Sequence, residues 1–245
     1  MIEATLEIPT PDGRCTTFIT HPERDGPFPA ILFYMDAPGI REELRDMARR
    51  LATTGYYVVL PNLYYRSGVL ELGPRDPTTG GAWMKRMFDL MNSLTIPMIM
   101  SDTRALLAHI DADPAARPGP LGAFGYCMSG QYALNAAAVF SDRVAAAASL
   151  YGVSLVTDAP DSPHLAARAA KAELYVACAE TDSYAPMSMV EAFAADFKAH
   201  GVRGEVEIYP GTHHGFAFPE RAQYDKAAAE RHWERLHALF GRNLA

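Results

Sequence analysis

Short β-branched or apolar runs recur near residues 2–8, 15–20, 29–35, 56–60, 121–126, 144–150, 173–179 and 204–209, each with the length and composition of a strand. The first two are joined by Pro9-Thr10-Pro11-Asp12-Gly13. Asp-Gly is a strong tight-turn dipeptide, so this pair reads as an antiparallel hairpin. From Ile31 onward the runs alternate with helical patterns. Leu44, Met47, Ala48 and Leu51 fall at i, i+3, i+4 and i+7, one apolar face ended by Gly55. Helical spacing also fits 98–111, 129–140, 187–200 and 221–241, the last with Tyr224, Ala228, Trp233, Leu236 and Phe240 on roughly one side. Ala30-Ile31-Leu32-Phe33-Tyr34 is apolar on both faces, as central parallel strands are. The pattern predicts an α/β fold: one domain over 1–245, with an eight-stranded, mostly parallel sheet and helices on both faces.

Two segments break the alternation. Residues 62–80 are irregular and rich in Gly and Pro, and residues 152–172 form a second excursion with Asp158, Pro160, Asp161 and Pro163. Long loops in compact domains tend to be functional, and open parallel sheets bind ligands beyond the C-terminal ends of their strands. The chemistry is therefore expected there.

Composition narrows the class. A chain of 245 residues can bury about 70% of its surface and needs no disulfide or metal staple. Apolar residues make up 49% and charged residues 21%, which is globular and not disordered. Twenty-two Lys and Arg against 29 Asp and Glu give a net charge of −7, with no basic run, so nucleic-acid binding is disfavoured. Met1 to Glu7 lacks an export-signal pattern, and no apolar run approaches the ~20 residues a bilayer requires. A cytoplasmic monomer or small homo-oligomer is expected, without membrane or nucleic-acid partners. Cys15, Cys127 and Cys178 are odd in number and widely spaced, which is neither a disulfide framework nor a metal pattern.

Only one cysteine sits where chemistry is expected. Leu121 to Tyr126 reads as a strand, and Gln131 to Ala137 as a helix. Between them Gly125 and Ser129 flank Cys127 and permit a turn sharp enough to lift its side chain above the sheet. The thiol then meets a helix N-terminus, which favours a thiolate, and the Met128 N–H is placed to donate to an oxyanion. The alternative is a buried structural cysteine, the usual fate of this residue type. A nucleophile needs a base and an orienting acid at neighbouring strand ends. After the seventh predicted strand comes Ala179-Glu180-Thr181-Asp182-Ser183-Tyr184-Ala185-Pro186, and after the eighth comes Thr212-His213-His214-Gly215-Phe216. Nucleophile, acid, histidine is the chain order of the α/β-hydrolase triad. Two adjacent histidines with no further ligand at helical spacing make a poor metal site, and no metal or cofactor is expected.

These residues carry a resemblance. Gly125-Tyr126-Cys127-Met128, Tyr151-Gly152-Val153, Asp182 through Pro186, His214-Gly215-Phe216 and Leu60-Pro61-Asn62-Leu63-Tyr64 make the sequence similar to the dienelactone hydrolase family of α/β-hydrolases, from about Ala30 to the C-terminus. A cysteine nucleophile marks this family within the superfamily. The resemblance implies Cys127 as nucleophile, His214 (in preference to His213) as base and Asp182 (in preference to Glu180) as the acid. It also implies a carboxylate beside the thiol, here Asp36 where the family usually has Glu, and a second oxyanion donor in the N–H of Ala37.

Two departures bear on the substrate. Ser129 stands where the family usually has Gly, a small-for-small change. Phe218 stands where lactone-cleaving members place an arginine for the substrate carboxylate; their second arginine falls in the stretch containing Lys85 and Arg86. An anionic dienelactone is therefore disfavoured. Of eleven methionines, nine lie at 35, 84, 87, 91, 98, 100, 128, 187 and 189, beside the expected site segments. They suggest an apolar acyl or aryl pocket with Trp83, Phe88, Tyr151 and Phe218 as walls; ordinary core methionines on a helix over 82–92 are the alternative. The expected partner is a small-molecule ester or lactone, cleaved through a thioester. The competing readings are a carboxylesterase, thioesterase or acyltransferase on the same fold, and a non-catalytic ligand-binding or redox-sensing protein that uses Cys127.

Overall fold

The computed structural model describes residues 1–74 and 80–245. All eight expected strands form, and they follow the order β1-β2-β4-β3-β5-β6-β7-β8 in one mixed sheet. The chain divides into two compact units, Met1–Pro118 and Gly119–Ala245.

In the first unit β1 (Ile2–Thr10) and β2 (Gly13–His21) form the expected hairpin, with Ile2 opposite His21 and Thr10 opposite Gly13. The turn residues are Pro11 and Asp12, and Gly13 opens β2 at φ 145°. β2 runs antiparallel to β4 (Tyr57–Pro61), whereas β3 (Ala30–Tyr34) runs parallel to it. Every residue of β3 and β4 is buried, as their two-sided apolar sequences require. Helix α1 (Glu42–Ala52) packs the face of Leu44, Met47, Ala48 and Leu51 against β2 and β4. Helices α2 (Gly80–Asn92) and α3 (Ile96–Ala112) follow, the latter starting where the Thr95 side chain accepts from the Met98 N–H.

Much of the irregular segment after β4 is pinned. Asn62 donates to the Val69 carbonyl at 2.9 Å, and the Ile40 and Leu72 N–H groups donate to Leu70 and Pro38. Arg66 grips the buried Asp102 of α3 with two nitrogens at 2.8 Å. Residues 62–74 are thus anchored to the first unit; the remainder of the expected 62–80 loop before Gly80 lies outside the described residues.

The second unit is wholly parallel: β5 (Leu121–Tyr126), β6 (Val144–Leu150), β7 (Glu173–Thr181) and β8 (Gly204–His213) pair in chain order. Alternation along β5 shows how both faces are covered. A Cβ at Gly122 would meet Phe240 of α7 (Lys226–Leu244); Phe124 packs on Phe240, and Tyr126 bonds His232 of the same helix. The opposite face carries α4 (Gly130–Val139), which packs on β5 and β6.

The helices differ from the sequence expectation at two places. The excursion 152–172 contains α5 (Pro163–Ala169), whose buried Ala166 and Ala167 help it pack against α4. Helix α7 begins at Lys226 and not near 221, because the Asp225 carboxylate accepts from the Ala228 N–H and caps it there. Helix α6 (Met187–Ala199) lies on β7. Among the described residues, no helix is long and apolar enough to cross a membrane.

Candidate active site

The chain turns from β5 into α4 through a single 3-10 turn, Cys127–Ser129. Cys127 stands at φ 55°, a left-handed conformation that a residue with a Cβ adopts only when its surroundings impose it. Those surroundings are visible. A Cβ on Gly125 would lie 2.4 Å from the Ser129 carbonyl oxygen, and one on Gly130 would lie 2.2 Å from Ser149 Oγ and 2.8 Å from Gly152 Cα. Only glycine lets the turn fold back so closely. The Val153 N–H donates to the Cys127 carbonyl at 3.2 Å, and Gln131 donates to that of Met128 at 2.9 Å, which fixes both peptides. Cys127 stays partly accessible, whereas Cys15 and Cys178 are buried, and burial pushes their thiols up to about 12. These two are filler, as their positions within strands suggest.

Asp182 follows β7 with its side chain almost fully covered. Its Oδ1 accepts from the N–H groups of Tyr184 (2.8 Å) and Ala185 (3.1 Å), and its Oδ2 lies 2.6 Å from Nδ1 of His214. A carboxylate can only accept here, so Nδ1 carries the proton, and Nε2 is left for chemistry. Of their neighbours, Glu180 accepts from the Gly211 N–H at 2.8 Å, and His213 is exposed at the end of β8.

His214 Nε2 is shielded from solvent and makes no well-formed hydrogen bond. Burial alone would lower the pKa of this imidazole. The Asp182 hydrogen bond and the proximity of the Cys127 sulfur outweigh that, raising it to about 9. Two tyrosines flank the ring edge-on: Tyr151, fully buried, with centroids 5.1 Å apart, and Tyr184, at 4.9 Å. Tyr151 is itself at φ 37°, a second strained residue beside the site.

The Dienelactone hydrolase family matches over residues 15–244. The chain belongs to that family. It is 28% identical to a "Putative carboxymethylenebutenolidase" of Methylorubrum extorquens, across 98% of this chain and 81% of the relative. It is likewise 28% identical to a protein of that name from Escherichia coli, across 98% and 87%. Among solved structures, a "Putative Dienelactone Hydrolase" from Klebsiella pneumoniae superposes with a TM-score of 0.86 at 24% identity, covering 98% of each chain. The mixed eight-stranded sheet flanked by helices is the α/β-hydrolase fold, and this dienelactone hydrolase family member is a carboxylic ester hydrolase acting on an ester or lactone.

The other expected residues fall as follows. Met128 is buried within the elbow. Ala37 is buried after β3, and its carbonyl accepts from the Tyr64 hydroxyl at 2.9 Å. Asp36 is fully buried, with Oδ1 2.6 Å and Oδ2 3.3 Å from the Arg41 guanidinium, which also holds Glu43 at 2.6 Å. Arg41 escaped the sequence reading because nothing in a loop sequence signals which long side chain folds back. Phe218 is fully buried and packs on Tyr126 (5.0 Å) and Tyr151 (6.2 Å), with the Arg221 guanidinium 4.9 Å over its ring, so it fills the core behind the site. Trp83 and Phe88 are half-buried on α2, the indole N–H donating to the Gly73 carbonyl at 3.1 Å. Tyr184 lies in the acid loop, and its exposure is a tertiary property with no local signal in the sequence. Among the described residues, no group of three or more His, Cys, Asp and Glu is placed to hold a metal ion.

Proposed function

We propose that Cys127, His214 and Asp182 are the nucleophile, base and orienting acid of this hydrolase. The observation that carries the reading is the 2.6 Å bond between His214 Nδ1 and Asp182 Oδ2, made beside a cysteine held at positive φ on a strand-to-helix elbow. His214 Nε2 takes the thiol proton, or already holds it beside a Cys127 thiolate, and the sulfur attacks the ester or lactone carbonyl, whose π electrons move to oxygen. The Met128 N–H stabilises that oxyanion; removing one such donor costs about 3–4 kcal/mol in comparable sites. The intermediate re-forms the carbonyl and breaks the C–O bond, and His214 returns its proton to the leaving oxygen. Nε2 then takes a proton from water, the hydroxide attacks the thioester, and the acid leaves as the sulfur is released. Asp182 keeps the Nδ1 proton throughout and offsets the charge on the imidazolium.

Phe218, in place of the arginine that the resemblance implies for a substrate carboxylate, supports an uncharged ester or lactone over an anionic one. The test is intact-mass detection of an acyl adduct after mixing with phenyl acetate. A mass gain equal to the acyl group, absent in Cys127→Ala along with turnover, is expected. Full esterase activity in Cys127→Ala would overturn the reading.

A further inference from the structure

Tyr184 is one of few large apolar side chains that the described fold leaves exposed, at 44%, and its ring lies against the catalytic imidazole. Its position is fixed from behind. The Tyr184 N–H donates to Asp182 Oδ1 at 2.8 Å, so the carboxylate that orients His214 also anchors the backbone of this tyrosine. The phenol ring meets the imidazole edge-on, centroids 4.9 Å apart and planes at 63°, a preferred arrangement for aromatic pairs. The second flanking ring, Tyr151, is fully buried. Of the two, only Tyr184 presents open aromatic surface.

We infer that Tyr184 is a specificity-determining residue that contacts the leaving-group side of the substrate and favours aryl esters over alkyl esters. The inference rests on the triad assignment above. The leaving oxygen must come within hydrogen-bond reach of His214 Nε2 to receive its proton, which puts it about 4 Å from the centre of the imidazole. A planar group carried on that oxygen and turned toward the Tyr184 side of the imidazole finds a π surface to stack against. An alkyl group there gains only the ordinary burial of its methylenes, whereas a second aromatic ring gains the additional ring–ring attraction. That attraction corresponds to about a two- to tenfold preference.

The test holds the acyl group constant and varies the alcohol: kcat/KM for phenyl acetate and for ethyl acetate, in the wild type, Tyr184→Leu and Tyr184→Phe. Leucine keeps bulk and apolarity without the ring, and phenylalanine keeps the ring without the hydroxyl. Comparing this ratio between proteins cancels the greater intrinsic reactivity of phenyl esters. The aryl-to-alkyl ratio is expected to fall about two- to tenfold in Tyr184→Leu and to stay at the wild-type value in Tyr184→Phe. An unchanged ratio in Tyr184→Leu, or an equal loss on both esters, overturns the inference and leaves Tyr184 as a support of the acid loop. A wild type that turns over neither ester, or a Cys127→Ala variant that retains turnover, overturns the triad assignment and the inference with it. If only the ratio fails while turnover needs Cys127, the triad stands and the inference alone falls.

Discussion

Two aspartates stand just beyond the C-terminal ends of buried parallel strands, Asp36 after β3 and Asp182 after β7, and both side chains are hidden from water. Their partners differ. Asp36 meets Arg41, a group that never loses its charge, in a cluster that also holds Glu43. Burial opposes the Arg41 charge, but the two carboxylates outweigh it and raise the arginine pKa further. Asp182 meets His214, whose charge is lost as the pH rises through about 9. The first pair is static, and its energy goes into holding a loop. The second is coupled to proton transfer, and its energy appears only when the imidazole becomes charged. A buried carboxylate at a strand end is therefore not functional by position alone; the titration range of its partner decides.

The largest expected effect separates the two carboxylates by activity. Asp182→Asn keeps the size of the side chain but lets the amide donate toward Nδ1, which selects the wrong tautomer of His214. A fall in kcat of about 10⁴ is expected, as for the corresponding change in other triads, with the far-UV spectrum and unfolding midpoint close to wild type. Steady-state esterase kinetics on the folded variant give the answer. A loss below tenfold would make Asp182 no more than a loop-capping carboxylate, and the contrast with Asp36 would collapse.

The next effect separates them by stability. Arg41→Ala removes the guanidinium that two buried carboxylates share, and removing one partner of a buried ion pair costs about 3–5 kcal/mol. Urea unfolding is expected to show that loss, and Asp36→Asn combined with Arg41→Met is expected to recover part of it, because no unpaired buried charge remains at position 36. A loss from Arg41→Ala under 1 kcal/mol (about the value of an exposed pair) would show that the cluster is not a structural ion pair. Asp36 also carries the expectation of tuning the Cys127 thiol. A kcat/KM pH profile of Asp36→Asn superimposable on wild type would remove it.

The contrast also marks where the sequence was readable. The strands were legible because two-sided apolar runs such as Ala30–Tyr34 and Leu121–Tyr126 have few other uses, and all eight appear where expected. The candidate triad was legible because each proposed member follows a strand end, and because the close approaches at Gly125 and Gly130 leave their mark as glycines in the sequence. Helix α5 was not, since its seven alanine-rich residues give no amphipathic period. The Arg41 cluster was not, because its pairing depends on how a loop folds back. The aromatic packing that makes Phe218 core and leaves Tyr184 at the surface was equally invisible, as burial of a loop aromatic depends on chain brought in from elsewhere, here Tyr126 and Tyr151.

The smallest effect tests the coupling itself. With its pKa raised from 6.5 to about 9 in the folded protein, His214 binds its proton more tightly folded than unfolded. Its contribution to stability is therefore complete below about pH 6.5 and disappears as the pH rises through about 9. The urea midpoint of the wild type is expected to decline across that interval. In Asp182→Asn the strongest partner holding the proton is gone, so the decline should shrink, and in Cys127→Ala it should shrink by the part the sulfur supplies. Asp36→Asn provides the opposite control. Arg41 does not titrate in this interval, so the variant should unfold at lower urea throughout yet keep the wild-type slope with pH. If Asp36→Asn flattened the curve as Asp182→Asn does, Asp36 would act on the imidazole too, and the two carboxylates would belong to one proton-binding system.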